Sequence, residues 1–397
     1  LDQMGLRPMM EGIAQSAQRA FSVLGALATS IWRGEGVARL MAVNSLFDAG
    51  KIVHNFSNMK DAFLHVELVR GEGPVTTLPV GDSMPLPSDY SNWVSARNVT
   101  SMLVLKHGKI THQSYYQNTG PDDLRISWSV AKSYLSALFG ILVAEGAIAS
   151  LDDPVIKYVP RLSGGAYDGA SVRDVLQMSS GITFDEDYLS YNSDINRMGR
   201  VLAMGGKMDD FAAGLTQTFA PAGQKWQYTS IDTHVIGMIA RGATGRDITD
   251  LLSEKILAKL GLEQSPYYLT DGVGVAFVLG GLNFTTRDYA RFGQMILQGG
   301  EWNGTQVVPA DWIDESTRPS ANTQADEFGY GYQWWIPVGA VSGQEFTARG
   351  IYGQYIYIDR SADVVIVTTG ADRKFREDGI AEQNIDMFRQ IVSATKG

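Results

Sequence analysis

The stretch Ser129–Ala144 carries a single charge, Lys132, in an otherwise uncharged and largely apolar run. Val130, Tyr134, Leu138 and Ile141 recur at helical spacing, with Leu142 alongside, and Gly146 suits the C-terminal end. A helix this apolar belongs in a core. A lysine on its buried face needs a reason, because an unpaired buried charge is strongly destabilising. The chain has 397 residues, of which 44% are hydrophobic and 19% charged. That is enough for a large core and for two closely packed subdomains around such a helix.

The flanking patterns suggest what surrounds it. Thr100–His107 reads as a strand, Gly108 as a turn, and Lys109–Tyr116 as the hairpin partner. Three further strand-like runs come late, at Tyr330–Pro337, Gly353–Asp359 and Val364–Thr369, before a last helix over roughly Glu377–Thr395. The middle is helical in pattern, including Ser171–Met178, Asp232–Arg241 and Ile248–Lys259. The expected fold is therefore α+β, an α/β sandwich body plus an all-helical lobe. The body takes 95–160 and 268–397, the mostly helical lobe takes 161–267, and 1–94 forms an N-terminal extension wrapped against the body. In that extension Val37–Leu46 is helical in pattern, and Pro79–Pro87 reads as a surface tether. Ile13–Trp32 reads as an amphipathic or buried helix. Contact with a membrane surface through it is the weaker reading, since Gln15, Gln18 and Arg19 interrupt it.

Composition removes several classes of function. A formal net charge of -10 offers no positive footprint for nucleic acid. With no cysteine, disulfides, thiol catalysis and cysteine-ligated metals are excluded. The absence is compatible with an oxidising compartment, and periplasm or secretion is favoured over cytoplasm. The five histidines are scattered without a His-Glu-x-x-His pattern, so no metal or other cofactor is expected. No Gly-x-Ser-x-Gly elbow occurs and the last histidine is His234, which argues against a conventional α/β-hydrolase.

Three segments carry candidate chemistry. In Ser129–Val130–Ala131–Lys132 the two polar side chains lie three residues apart and share a helix face. A serine hydroxyl needs an adjacent base, and burial lowers a lysine pKa enough to make it one. The second segment is Tyr228–Thr229–Ser230, after the loop Pro221–Ala222–Gly223. Tyr228 can relay a proton beside Lys132, with Ser230 pointing the same way; alternatively Tyr228 packs under the loop and Ser230 caps a helix. The third is Ala348–Arg349–Gly350–Ile351, leading into Tyr352. This strand edge can offer a backbone N–H to an oxyanion, together with that of Ser129, or it is a glycine-containing bulge.

Taken together these segments resemble the serine β-lactamase superfamily, in its class C and esterase branch, and more narrowly the 6-aminohexanoate-dimer hydrolases. Val172–Gly181, Gly280–Arg291 and Gly350–Gln354 also look like that group. The resemblance covers about 95–395 and implies a β-lactamase/transpeptidase-like fold, an antiparallel sheet flanked by helices. It implies acylation of Ser129, with Lys132 as base, Tyr228 assisting, and the N–H groups of Ser129 and Ile351 holding the oxyanion. Tyr188, in Asp185–Glu186–Asp187–Tyr188, matches a mobile tyrosine that closes over substrate; alternatively it is a loop aromatic packed on the lobe interface. Ser230, Arg349, Gly350, Tyr352 and Trp226 complete the expected substrate contacts. Two departures matter. Ala348–Arg349–Gly350 replaces the common Lys-Thr-Gly, which counts against efficient β-lactamase or D-Ala-D-Ala carboxypeptidase activity. Leu279 stands where the nylon-oligomer branch has a polar residue, which counts against nylon-dimer cleavage. A small-molecule ester or small amide is the expected substrate, a homodimer is compatible, and a non-catalytic ligand-binding protein is the alternative of another class.

Overall fold

The computed structural model describes residues 34–397. The expectation for Ile13–Trp32 lies outside the described residues. Seven antiparallel strands form the main sheet. In spatial order they are Lys109–Tyr115, Val99–Lys106, Val364–Gly370, Gln354–Asp359, Glu345–Gly350, Trp335–Ile336 and Gly329–Tyr330. The first and last parts of the sequence thus meet in one sheet, through the register Val365↔Leu105 and Val367↔Leu103.

Side chains alternate across this sheet, and both faces are covered. Leu103, Leu105, Ile356, Ile358, Val365 and Val367 join the main core, while Met102, Val104, Tyr355, Tyr357, Val364 and Ile366 join a second one. The helix Thr286–Leu297 lies on the first face. Gly293 lets it come close, because a Cβ there would sit 2.8 Å from Ile356 and 2.9 Å from Val365. The terminal helix Ile380–Ala394 covers the second face, with Phe388 edge-on to Tyr355 at 5.1 Å. The fold is an α+β sandwich of antiparallel sheet flanked by helices, as the resemblance implied.

A second antiparallel sheet has no counterpart in the sequence reading. It orders His65–Glu67, Tyr267–Leu269, Leu282–Phe284 and Arg125–Ile126. Its strands have two or three residues, too few for a period to show. Tyr330–Pro337, expected as one strand, is two short strands around a turn, with Gln333 at φ 65°. The middle of the chain contains the helices Val172–Leu176, Asp194–Ala203, Met208–Ala213, Ser230–Thr244 and Ile248–Lys255. Ser171 caps the first through a reciprocal box with Asp174.

The segment before the sheet is held by specific contacts. Residues 34–44 are helical, and Phe56 is fully buried. Ile126 donates its N–H to Phe56 O at 3.0 Å, and the buried Arg125 donates to Val53 O at 2.6 Å and to Ser57 Oγ at 2.9 Å. Pro79 and Gly81 bond Ile110 on the outer hairpin strand, in keeping with a tether.

Candidate active site

The chain enters the central helix through a tight turn. Trp128–Val130 is 3-10 helix and Ala131–Ala144 is α-helix. In a 3-10 turn, side chains three apart eclipse each other, so Ser129 and Lys132 face one another closely. Trp128 adopts φ 42°, a left-handed conformation unfavourable for a bulky residue. Its ring is nonetheless fixed, 5.5 Å from Phe56 and 5.7 Å from Phe47. Packing therefore imposes strain immediately before Ser129, of about 1–3 kcal/mol.

Lys132 Nζ lies 2.8 Å from Ser129 Oγ and 2.7 Å from Leu279 O. The lysine is 2% exposed and makes no carboxylate ion pair among the described residues. Burial pulls its pKa down to about 7, opposed by the more distant Glu186 carboxylate. A large fraction of the amine is neutral near pH 7, which is what a base for Ser129 requires.

Tyr228 packs at a tilt against Trp335, with centroids 5.0 Å apart, and Lys132 Nζ lies 5.2 Å from its ring centre. Burial, then Glu186, raise its pKa, while the hydroxyls of Ser129 and Ser230 pull the other way. Tyr228 thus packs against Trp335 and Tyr330 while its hydroxyl adjoins that of Ser129. Ser230 opens the helix Ser230–Thr244, but it does not act as a side-chain cap. Its N–H and Oγ–H both donate to Glu186, the second at 3.2 Å.

Glu186 is the residue to which the sequence reading gave no role. It sits 44 positions before Ser230, so no local pattern could reveal the contact. It takes the N-terminus of a helix whose dipole favours negative charge. Burial raises its pKa, and Lys132 and the Ser230 N–H lower it. Tyr188, half-buried, adjoins the same carboxylate, and burial holds its hydroxyl well above the usual range. Behind them, Asp232 accepts from Tyr167 and Ser180, both at 2.7 Å, and burial raises it to about 7.

Gly350 ends the strand Glu345–Gly350 directly against Ser129. A Cβ there would fall 2.6 Å from Ser127 O and 3.1 Å from Ser129 N. Only glycine permits that approach. Ile351 follows, half-buried, and lines the open space on both sides of Ser129. Tyr352, at φ 62°, stacks on Phe47 with centroids 4.8 Å apart. Arg349 lies over the Trp335 ring at 4.8 Å and the Phe328 ring at 5.1 Å, at the rim of the more polar side. Trp226 is not brought to either cavity beside Ser129. It packs on Tyr330 and Trp335, behind Tyr228.

The beta-lactamase family model matches residues 95–385. The chain belongs to the beta-lactamase family. The 6-aminohexanoate-dimer hydrolase of Paenarthrobacter ureafaciens is 34% identical over 284 residues, which span 67% of this chain and 71% of that one. A structure from Bacillus anthracis assigned as a 6-aminohexanoate-dimer hydrolase matches with a TM-score of 0.78 at 22% identity, covering 88% of this chain and 96% of that one. A class C β-lactamase bound to cefoxitin matches with a TM-score of 0.56 at 17% identity, covering 77% and 96%. The last two likenesses bear on fold alone. Within the family this chain stands with the 6-aminohexanoate-dimer hydrolases, and it is a serine-hydrolase-type enzyme for small-molecule esters or amides. Among the described residues no helix is long and apolar enough to cross a membrane.

Proposed function

We propose that this chain hydrolyses esters of small apolar acids through an acyl-enzyme on Ser129. The observation that carries the reading is the 2.8 Å contact between Ser129 Oγ and a buried Lys132 whose pKa lies at about 7. Neutral Lys132 takes the Oγ proton as Oγ attacks the carbonyl carbon. The N–H groups of Ser129 and Ile351 hold the oxyanion. The Tyr228 hydroxyl passes a proton to the departing oxygen and recovers one from Lys132, and the C–O bond breaks. Water then attacks the acyl carbonyl and gives up a proton, the bond from that carbon to Ser129 Oγ breaks, Oγ takes the proton, and the acid leaves. The site lies between two lobes, 95–160 with 268–397, and 161–267. Ser129, Gly350 and Ile351 come from the first; Tyr188, Tyr228 and Ser230 come from the second.

Ester is preferred to the 6-aminohexanoyl amide of the relative for a specific reason. Leu279 faces the cavity beside Ser129, and no carboxylate lines that cavity among the described residues. A substrate ammonium would be desolvated there with no carboxylate in direct contact. The test is steady-state hydrolysis of p-nitrophenyl butyrate by wild type and Ser129→Ala. The reading expects turnover to vanish in a variant with an unchanged circular dichroism spectrum. Retained turnover would overturn it.

A further inference from the structure

Two cavities meet at Ser129, and they differ in character. One is walled by Val43, Leu46, Phe47, Phe63, Met198 and Leu279. The other holds Tyr228, Arg349, Gly350 and Arg376. Ser129 and Ile351 line both. Tyr228 lines only the second, so a leaving group that takes its proton from Tyr228 departs on the arginine side. The acyl arm then lies in the apolar cavity. Four of that cavity's wall residues, Val43, Leu46, Phe47 and Phe63, precede the family-matched region 95–385. The family body alone does not close this space.

We infer that the segment 43–63 builds an acyl-chain pocket, which selects substrates carrying an unbranched hydrocarbon acyl group and disfavours acyl groups ending in an ammonium. The assignment of the acyl arm rests on the roles given above to Ser129 and Tyr228. Each methylene that enters an apolar site gains about 0.8 kcal/mol of transfer energy, or roughly four-fold in affinity, until the pocket is full. The segment is anchored for this purpose: Phe47 stacks on Tyr352 at 4.8 Å, and Phe56 packs on Trp128 at 5.5 Å, beside the nucleophile.

The experiment has a binding arm and a turnover arm. Calorimetry on the Ser129→Ala chain measures acetate, hexanoate, octanoate and 6-aminohexanoate. Wild type is assayed with the matching p-nitrophenyl esters. Octanoate is expected to bind at least ten-fold tighter than acetate, and hexanoate at least ten-fold tighter than 6-aminohexanoate. Introducing Val43→Asp at this half-buried wall position should weaken octanoate at least five-fold and narrow the hexanoate preference. Val43→Trp, which fills the space without charge, should weaken octanoate more than acetate. Unfolding midpoints confirm that both variants fold. Equal binding of octanoate and acetate, or tighter binding of 6-aminohexanoate than hexanoate, overturns the pocket whatever the turnover arm shows. The binding preference without any ester turnover upholds the pocket and instead removes the catalytic reading.

Discussion

At the scale of single residues, the site turns on how burial sets the charge of Lys132. A lysine held at about 7 in the folded chain, against about 10.4 when unfolded, binds fewer protons folded than unfolded between those values. Stability from this group therefore rises with pH across that window and is lowest below it. Lys132→Met should abolish acylation and raise the unfolding midpoint at pH 7, measured by scanning calorimetry. A lower midpoint would show that the lysine stabilises the fold. Glu186 opposes the effect of burial on Lys132, so Glu186→Gln should shift the rising limb of kcat/KM to lower pH. The two groups titrate as a pair, and the profile reports the pair rather than either residue. An unshifted limb would leave Glu186 only the task of binding Ser230 through its N–H and Oγ–H.

At the scale of elements, close approaches hold the helix that follows Ser129. A Cβ at Gly140 would fall 2.2 Å from the Trp312 ring, whose Nε1–H donates to Ser136 O at 2.9 Å. Gly140→Ala should lower stability by about 2 kcal/mol, the usual scale of overpacking, as read by urea denaturation. Gly350→Ala acts differently, since its Cβ meets the backbone around Ser129. It should reduce kcat/KM on the order of 100-fold with little change in the circular dichroism spectrum, because small misplacements of reacting groups are costly. The elements that sequence made legible were long or punctuated. The central helix had its apolar spacing, the hairpin its Gly108 turn, and Val172–Leu176 its Ser171 cap. The four-stranded sheet was illegible because strands as short as Arg125–Ile126 carry no period. Ser129, Lys132 and Tyr228 could be singled out from local motifs, whereas Glu186 and the carbonyl of Leu279 join the site only through tertiary contacts.

At the scale of the whole molecule, the N-terminal segment and the catalytic body share one core. Phe56, fully buried, touches Trp128 and Tyr352, which flank Ser129 and the strand end opposite it. Phe56→Ala should cost about 3 kcal/mol by chemical denaturation. It should also slow acylation, since the strained Trp128 turn loses its support. A stability loss with full activity would separate the segment from the site. The central claim is that one serine carries the acyl group. Intact-protein and peptide mass spectrometry after a fluorophosphonate, and after rapid acid quench with p-nitrophenyl butyrate, tests it most directly. The account predicts a single adduct from each reagent, both on the peptide containing Ser129 and both absent from Ser129→Ala. An adduct on any other residue, or ester turnover with Ser129 unmodified, would contradict it.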